Sequence, residues 1–384
     1  MRLCWGTVHA IIEATKTRQK LQVCLDADNT QTLQEESNSQ DVHTLCDTII
    51  AINYLSLSFA QKIGDRVLLN MTALDLGLGT GGVAFVVPTG EMRQTDDSNQ
   101  HRGHIMKLRY TPLQREVLSI EEQSSPYHAI MHDALLLEGL PVVCCALASQ
   151  VPLVAAAIRA DLPEARIILC MTDEAALMYA FSDIFADTRS AGLIDTAITC
   201  GQAFGGDMEA ITLHSGMLAA YHVFKADVCI VSIGPGTPGS ATPYGHGGIA
   251  QGEALNAVIA LGGTPIAPLR LSFADTRARH QGVSHHSLTT LGRICLGRVL
   301  IPLPTNLPLT QSTEVSQTLK RTGISERHTL VEVNLDSNRI DLRGVVVTTM
   351  GRTQTDDPAF FSASLAAGIC AASIASARKQ QSNR

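Results

Sequence analysis

From about residue 123 the chain alternates short, continuous apolar runs with longer segments of helical period. Segments 142–147, 166–171, 196–200, 228–233 and 265–272 read as strands, and 153–160, 175–191, 207–224, 249–261 and 288–299 as helices. Strands apolar on both faces and separated by helices predict a doubly wound, mostly parallel α/β domain of Rossmann-like type. Before that point the rhythm is different. Segments 7–14, 20–25, 49–54, 66–71 and 83–87 predict short strands, with polar breaks at 31–41 and 91–102. Segment 104–121 returns as one more strand, so the simplest outcome is a small all-β barrel or sandwich. Beyond the prolines Pro302, Pro304 and Pro308, segments 329–335 and 340–348 predict two strands and 358–378 a last helix. The expected organisation is a β-rich domain over 1–122, an α/β domain over 123–304, and a C-terminal β-β-α extension over 305–384 packed on the α/β domain.

Composition narrows the function classes. The 384 residues are 45% hydrophobic and carry a formal charge of −7, which excludes disorder and gives no surplus of cations for a nucleic-acid backbone. Cys144, Cys145, Cys170, Cys200 and Cys229 fall inside apolar runs, and no C-x-x-C pair occurs, so the cysteines read as small buried hydrophobes. The first twelve residues hold Arg2, Trp5 and His9 rather than a long apolar run, which points to a cytoplasmic protein. Segment 358–377 has no formal charge, but it is rich in Ala and Ser, so a buried helix is expected rather than a membrane span. No G-x-x-x-x-G-K-[ST], G-x-S-x-G or H-E-x-x-H occurs. Lys225 is the only lysine between Lys107 and Lys320, leaving little for Schiff-base chemistry.

Three loops follow strands of the α/β domain. Gly234-Pro-Gly-Thr-Pro-Gly239 matches G-x-G-x-x-G in letters, but Pro235 and Pro238 remove donors and the next helix begins some ten residues later, against a dinucleotide turn. The earlier match, Gly77 to Gly82, precedes a strand and reads as a hairpin loop. Gly201-Gln-Ala-Phe-Gly-Gly-Asp207 allows close approach of a ligand, with Asp207 as the expected helix N-cap. The densest cluster is Asp275-Thr-Arg-Ala-Arg-His-Gln-Gly-Val-Ser-His-His-Ser287. There Arg277 and Arg279 suit phosphate or carboxylate, and Ser284 suits an N-cap. His285 and His286 would lie beside the positive end of a helix and lean neutral, fit for a base or a metal ligand. A metal set would be His280, His285 and His286 with Asp275. His128 and His132, one helical turn apart, read as a surface pair.

Several blocks are long and specific: residues 72–82, 103–113 and 199–207, Gly252-Glu-Ala-Leu-Asn-Ala257, and residues 272–287. Together they resemble an uncharacterised domain-of-unknown-function family of actinobacteria and other Gram-positive bacteria, over most of the chain. That resemblance implies no activity, substrate or catalytic residue. The residues themselves lead to a hydrolase or transferase for a small anionic metabolite, bound at the carboxyl ends of the strands. Asp275, His280, His285 and His286 would be catalytic. Gly201, Gln202, Gly205, Gly206, Asp207, Gly234, Gly236, Thr237, Arg277, Arg279, Ser284 and Ser287 would bind the ligand. The cofactor and metal stay unassigned, and the expected partner is a small anion, with no nucleic acid and no membrane. The alternative is a non-catalytic ligand sensor or a homo-oligomeric assembly protein.

Overall fold

The computed structural model describes residues 2–26, 48–77, 82–89, 103–336 and 339–382. The expected break at 31–41, the middle of the 77–82 loop and all of 91–102 lie outside these residues. The chain divides into two compact units, Met1–Gln100 and His101–Arg384.

In the first unit β1 (Leu3–Ala14), β2 (Arg18–Leu25), β3 (Thr48–Tyr54), β4 (Arg66–Asn70) and β5 (Ala84–Val87) close into a barrel of order β1-β2-β3-β5-β4. A short helix, α1 (Thr72–Asp75), follows β4. Only the β3–β5 pairing is parallel. Alternating side chains point inward, and Val8, Leu21, Val23, Val67 and Leu69 fill the interior. Closure leaves no open edge to template pairing with another chain.

The second unit opens with the antiparallel hairpin of β6 (Ile105–Lys107) and β7 (Arg115–Val117), in place of the single strand expected over 104–121, and with α2 (His128–Asp133). Then come β8 (Pro141–Cys145), α3 (Val151–Asp161), β9 (Ile167–Thr172), α4 (Asp183–Ser190), β10 (Thr196–Cys200), β11 (Met208–Ala210), α5 (Leu213–His222) and β12 (Val228–Ile233). After α6 (Ile249–Ala260) the chain forms β13 (Thr264–Ile266), the two-residue pair β14 (Leu271–Ser272) and β15 (Gly282–Val283), and α7 (His285–Thr289). It ends with β16 (Leu300–Pro304), α8 (Leu309–Arg321), α9 (Ile324–Arg327), β17 (Thr329–Val333) and α10 (Pro358–Ser382).

Eight of these strands form one parallel sheet of order β11-β10-β9-β12-β8-β13-β16-β17. Its two faces are separate cores, set by the period of two along each strand. Val142, Cys144, Cys170, Cys200, Cys229 and Val231 face one core with residues of α5 and α6. Val143, Cys145, Leu169, Val228 and Ile230 face the other with α3 and α10. Of the described helices α10 alone is long and apolar enough to cross a membrane, but most of it is buried in that second core. It lies so close to α3 that a Cβ on Gly368 would stand 2.4 Å from the carbonyl oxygen of Val154.

Several expected elements change form. The helix foreseen over 207–224 is β11 followed by α5, whose N-cap is Thr212, not Asp207. Strand 265–272 splits into β13, which contains Pro265, and β14, with Pro268 and its missing backbone donor in the gap between them. The helix over 288–299 begins earlier, at His285, and runs into a π-helical turn over Thr290–Ile294. No strand forms over 340–348, so β17 is the one described strand of the C-terminal region.

The chain leaves β8 for β9, β10 and β11 on one side and returns to β12 between β9 and β8. It then passes to β13, β16 and β17 on the other side. Direction reverses around β12 and β13. Ligands of doubly wound sheets bind outside the carboxyl ends of strands at such reversals.

Candidate functional site: a histidine–arginine cluster

Two loops at this reversal hold four imidazoles against one another. His246 comes from the loop between β12 and α6. His280 lies between β14 and β15, and His285 and His286 open α7. His246 and His286 stack with ring centroids 3.8 Å apart, and His280 stands 5.0 Å from His285 and 4.9 Å from His286. Ser284 sets this geometry. Its Oγ accepts the backbone N–H of His286, capping α7, and pairs with His280 Nδ1 at 2.7 Å.

Beneath the rings lies Arg270, only 8% exposed, between β13 and β14. Its Nη1 donates to His286 Nδ1 at 3.0 Å, and its backbone N–H donates to Ser287 Oγ. Among the described residues no carboxylate lies within ion-pair distance of its guanidinium, unlike those of Arg277 and Arg352. Arg277 grips Asp275 with Nε and Nη2, at 2.9 and 2.7 Å. Arg352 reaches both Asp275 and Asp357, and Asp357 also accepts the Ser272 hydroxyl at 2.6 Å. Asp275 is thereby held well below the usual carboxylate range, chiefly by the Arg277 hydrogen bonds.

The local field is positive and most of these groups are buried. Burial, then Arg277, lowers Arg270 to about 10. Burial, then Arg270, pushes His280 down to about 3 and His286 to about 2. His246 and His285 move the same way, first by burial and then by His285 and Arg279 respectively. All four imidazoles are therefore neutral at pH 7. Two of their nitrogens, His246 Nδ1 and His285 Nε2, are buried with no hydrogen-bond partner. The tautomer of His246 is fixed, because its Nε2 faces the carbonyl oxygen of Pro243 at 3.1 Å and must donate.

The 275–287 segment thus supplies much of the cluster, with Asp275 tied to arginines rather than orienting a histidine. Arg279 is exposed and bears on His285 through its charge. Gly234, Gly236 and Thr237 belong to the loop that carries His246. Gly234 packs on Ala176, Thr237 sits against Gly247, and Gly239 bridges to His246. The 201–207 segment does not join them. Gln202 bonds Asp173 and Arg109, Gly205 bonds Glu209, and Gly206 bonds Thr199. Asp207 binds the backbone of Ala197 and the side chain of Arg189, toward the amino end of β10. Gly201 lines a cleft of about 230 Å³ with Asp173, Glu174, His214 and Glu253, of the wrong charge for an anion. A depression of about 590 Å³ lined by Glu138, Tyr221, Lys225 and Arg378 is likewise away from the histidines. His128 and His132 contact Glu121 and Asp133.

Four central residues escaped the sequence reading: His246, Arg270, Arg352 and Asp357. The one signal in hand was Arg270, a lone charge at the end of an apolar run.

Among known proteins, the family model described as a protein of unknown function (DUF3866) matches residues 50–368. No curated protein and no solved structure matches the chain.

Proposed function

Since the chain belongs to the DUF3866 family, whose description names no activity, we propose from geometry alone that it is an enzyme for a small anionic metabolite. Its anion, a phosphoryl or carboxylate group, binds Arg270. The observation that carries this reading is the buried guanidinium without a carboxylate partner. Withdrawing such a charge from water costs several kcal/mol unless an opposite charge compensates, and a bound anion supplies it. His280, oriented by Ser284, is the proton-transferring group; the anion's charge would raise its basicity toward the working range. Hydrolysis or group transfer is the reaction class, because neutral imidazoles and cations serve developing negative charge.

The test uses Arg270→Met, of similar length and without charge. Calorimetric titration with inorganic phosphate should show binding to the wild type and a loss of about 2–5 kcal/mol in the variant. Without phosphate the variant should melt at the same or a higher temperature, since an uncompensated buried charge has gone. Equal phosphate affinity in both proteins would reject the assignment. A bound metabolite that is never turned over would make the chain a sensor instead.

A further inference from the structure

We propose that His246, His285 and His286 form a binding site for a divalent transition metal of the zinc class. One ring nitrogen from each lies within 4.8 Å of the other two. Tetrahedral zinc–imidazole bonds of about 2.0–2.1 Å need nitrogens about 3.3 Å apart, so small side-chain rotations bring the three into range.

Three further observations point to a metal. His246 Nδ1 is a lone pair buried without a donor, and His285 Nε2 is a buried ring nitrogen without any partner, a costly state for either that a metal relieves. His246 donates its other ring nitrogen to the Pro243 carbonyl, the outer contact that metal-bound histidines commonly make. Gly248 keeps the space in front of the rings clear. A Cβ there would stand 3.0 Å from His246 Nδ1 and 3.3 Å from His286 Nδ1. Its φ of −63° suits any residue, so backbone conformation does not require this glycine.

Neutral imidazoles select zinc, cobalt or nickel over magnesium or calcium, which take oxygen donors. His286 is the conditional ligand: its Nδ1 accepts from Arg270, so to bind a metal either Nδ1 gives up that bond or Nε2 gives up its proton. Asp275 is excluded by its arginines, which corrects the set expected from sequence. The metal would lie beside the arginine of the proposed anion but takes neither Arg270 nor His280 as a ligand, so the two assignments can fail separately.

The experiment titrates the full chain, first treated with a chelator, with Zn²⁺ and Co²⁺ in phosphate-free buffer. Calorimetry and the cobalt visible spectrum are the readouts, with circular dichroism confirming native folding of each variant. The wild type should bind one equivalent. His246→Ala and His285→Ala should each weaken binding about 100-fold or more. Gly248→Ala removes no ligand and should also weaken it, by crowding the nitrogens. Arg270→Met should keep or tighten metal binding while losing phosphate. The proposal is overturned by absence of stoichiometric binding, by unchanged affinity in folded His246→Ala and His285→Ala, or by a thiolate-to-cobalt band placing the ion on cysteines.

Discussion

Arginines 270 and 277 sit seven residues apart and do opposite things. Arg277 is spent on Asp275 in a two-pronged ion pair, and with Arg352 and Asp357 it forms a closed network under the loop. Arg270 takes no part in its ion pairs and feels Asp275 only through space. Asp275, 2% exposed, is therefore a structural residue whose loss leaves Arg277 without its counter-ion and Arg352 with Asp357 alone. Asp275→Asn should lower stability at pH 7 by on the order of 2 kcal/mol. The sign with pH follows from its depressed folded-state value: the stabilisation is complete above the unfolded value of about 4 and fades as pH falls below it. Urea denaturation from pH 8 downward should show a constant gap between wild type and variant that narrows below about pH 4. A gap unchanged in acid would refute the role. At this scale the 275–287 loop was legible, because its chemistry is contiguous. His246 and Arg270 were not: one is a single histidine in a Gly/Pro loop, the other a single arginine ending an apolar run, and only the strand reversal joins them.

Elements are specified best where burial is complete. β8, β9, β10 and β12 are runs in which every described position is buried except Thr196, and such runs can only be inner strands of a parallel sheet. β11 is not visible in the sequence because three residues, Met208-Glu-Ala210, carry no period, and the Thr212–Ser215 capping box sits inside the helical period of 207–224. The α3–α10 contact is a property of elements that no local pattern announces. In the sequence Gly368 looks like a weak point in an apolar helix; in the fold it is the spot where α10 touches the backbone of α3. Gly368→Ala would gain about 1 kcal/mol of helix propensity. Its Cβ, 2.4 Å from Val154 O and 2.6 Å from Ala157 Cβ, would force the helices apart at about 1–3 kcal/mol. Net destabilisation is expected, with a lower urea midpoint and an unchanged slope. A higher midpoint would show that the helices part without cost.

For the molecule as a whole, acid is the condition to which this fold is most exposed. The described chain buries neutral histidines at separate places: the cluster over the sheet's carboxyl end, and His328 between the π turn and β16. His328 Nε2 donates to Leu291 O at 2.8 Å, while Nδ1 accepts the backbone N–H of Val299. One neutral tautomer satisfies both bonds, and protonation would put a donor against a donor. Burial, the largest cause, lowers its folded-state value below the unfolded 6.5. A group depressed in this way gives its stabilisation fully above pH 6.5 and loses it as pH falls toward the folded value. His328→Gln keeps a donor and an acceptor without titrating. Its stability deficit against wild type should be largest at pH 7 to 8 and shrink as pH falls from 6.5 to 5. Melting temperatures of the two proteins across that range provide the check, and a deficit independent of pH would mean that His328 acts through packing alone. The histidines of the cluster add to the same acid loss. The wild type should therefore lose more stability below pH 6.5 than the His328 difference alone accounts for, in contrast to the Asp275 pair, which holds until pH 4.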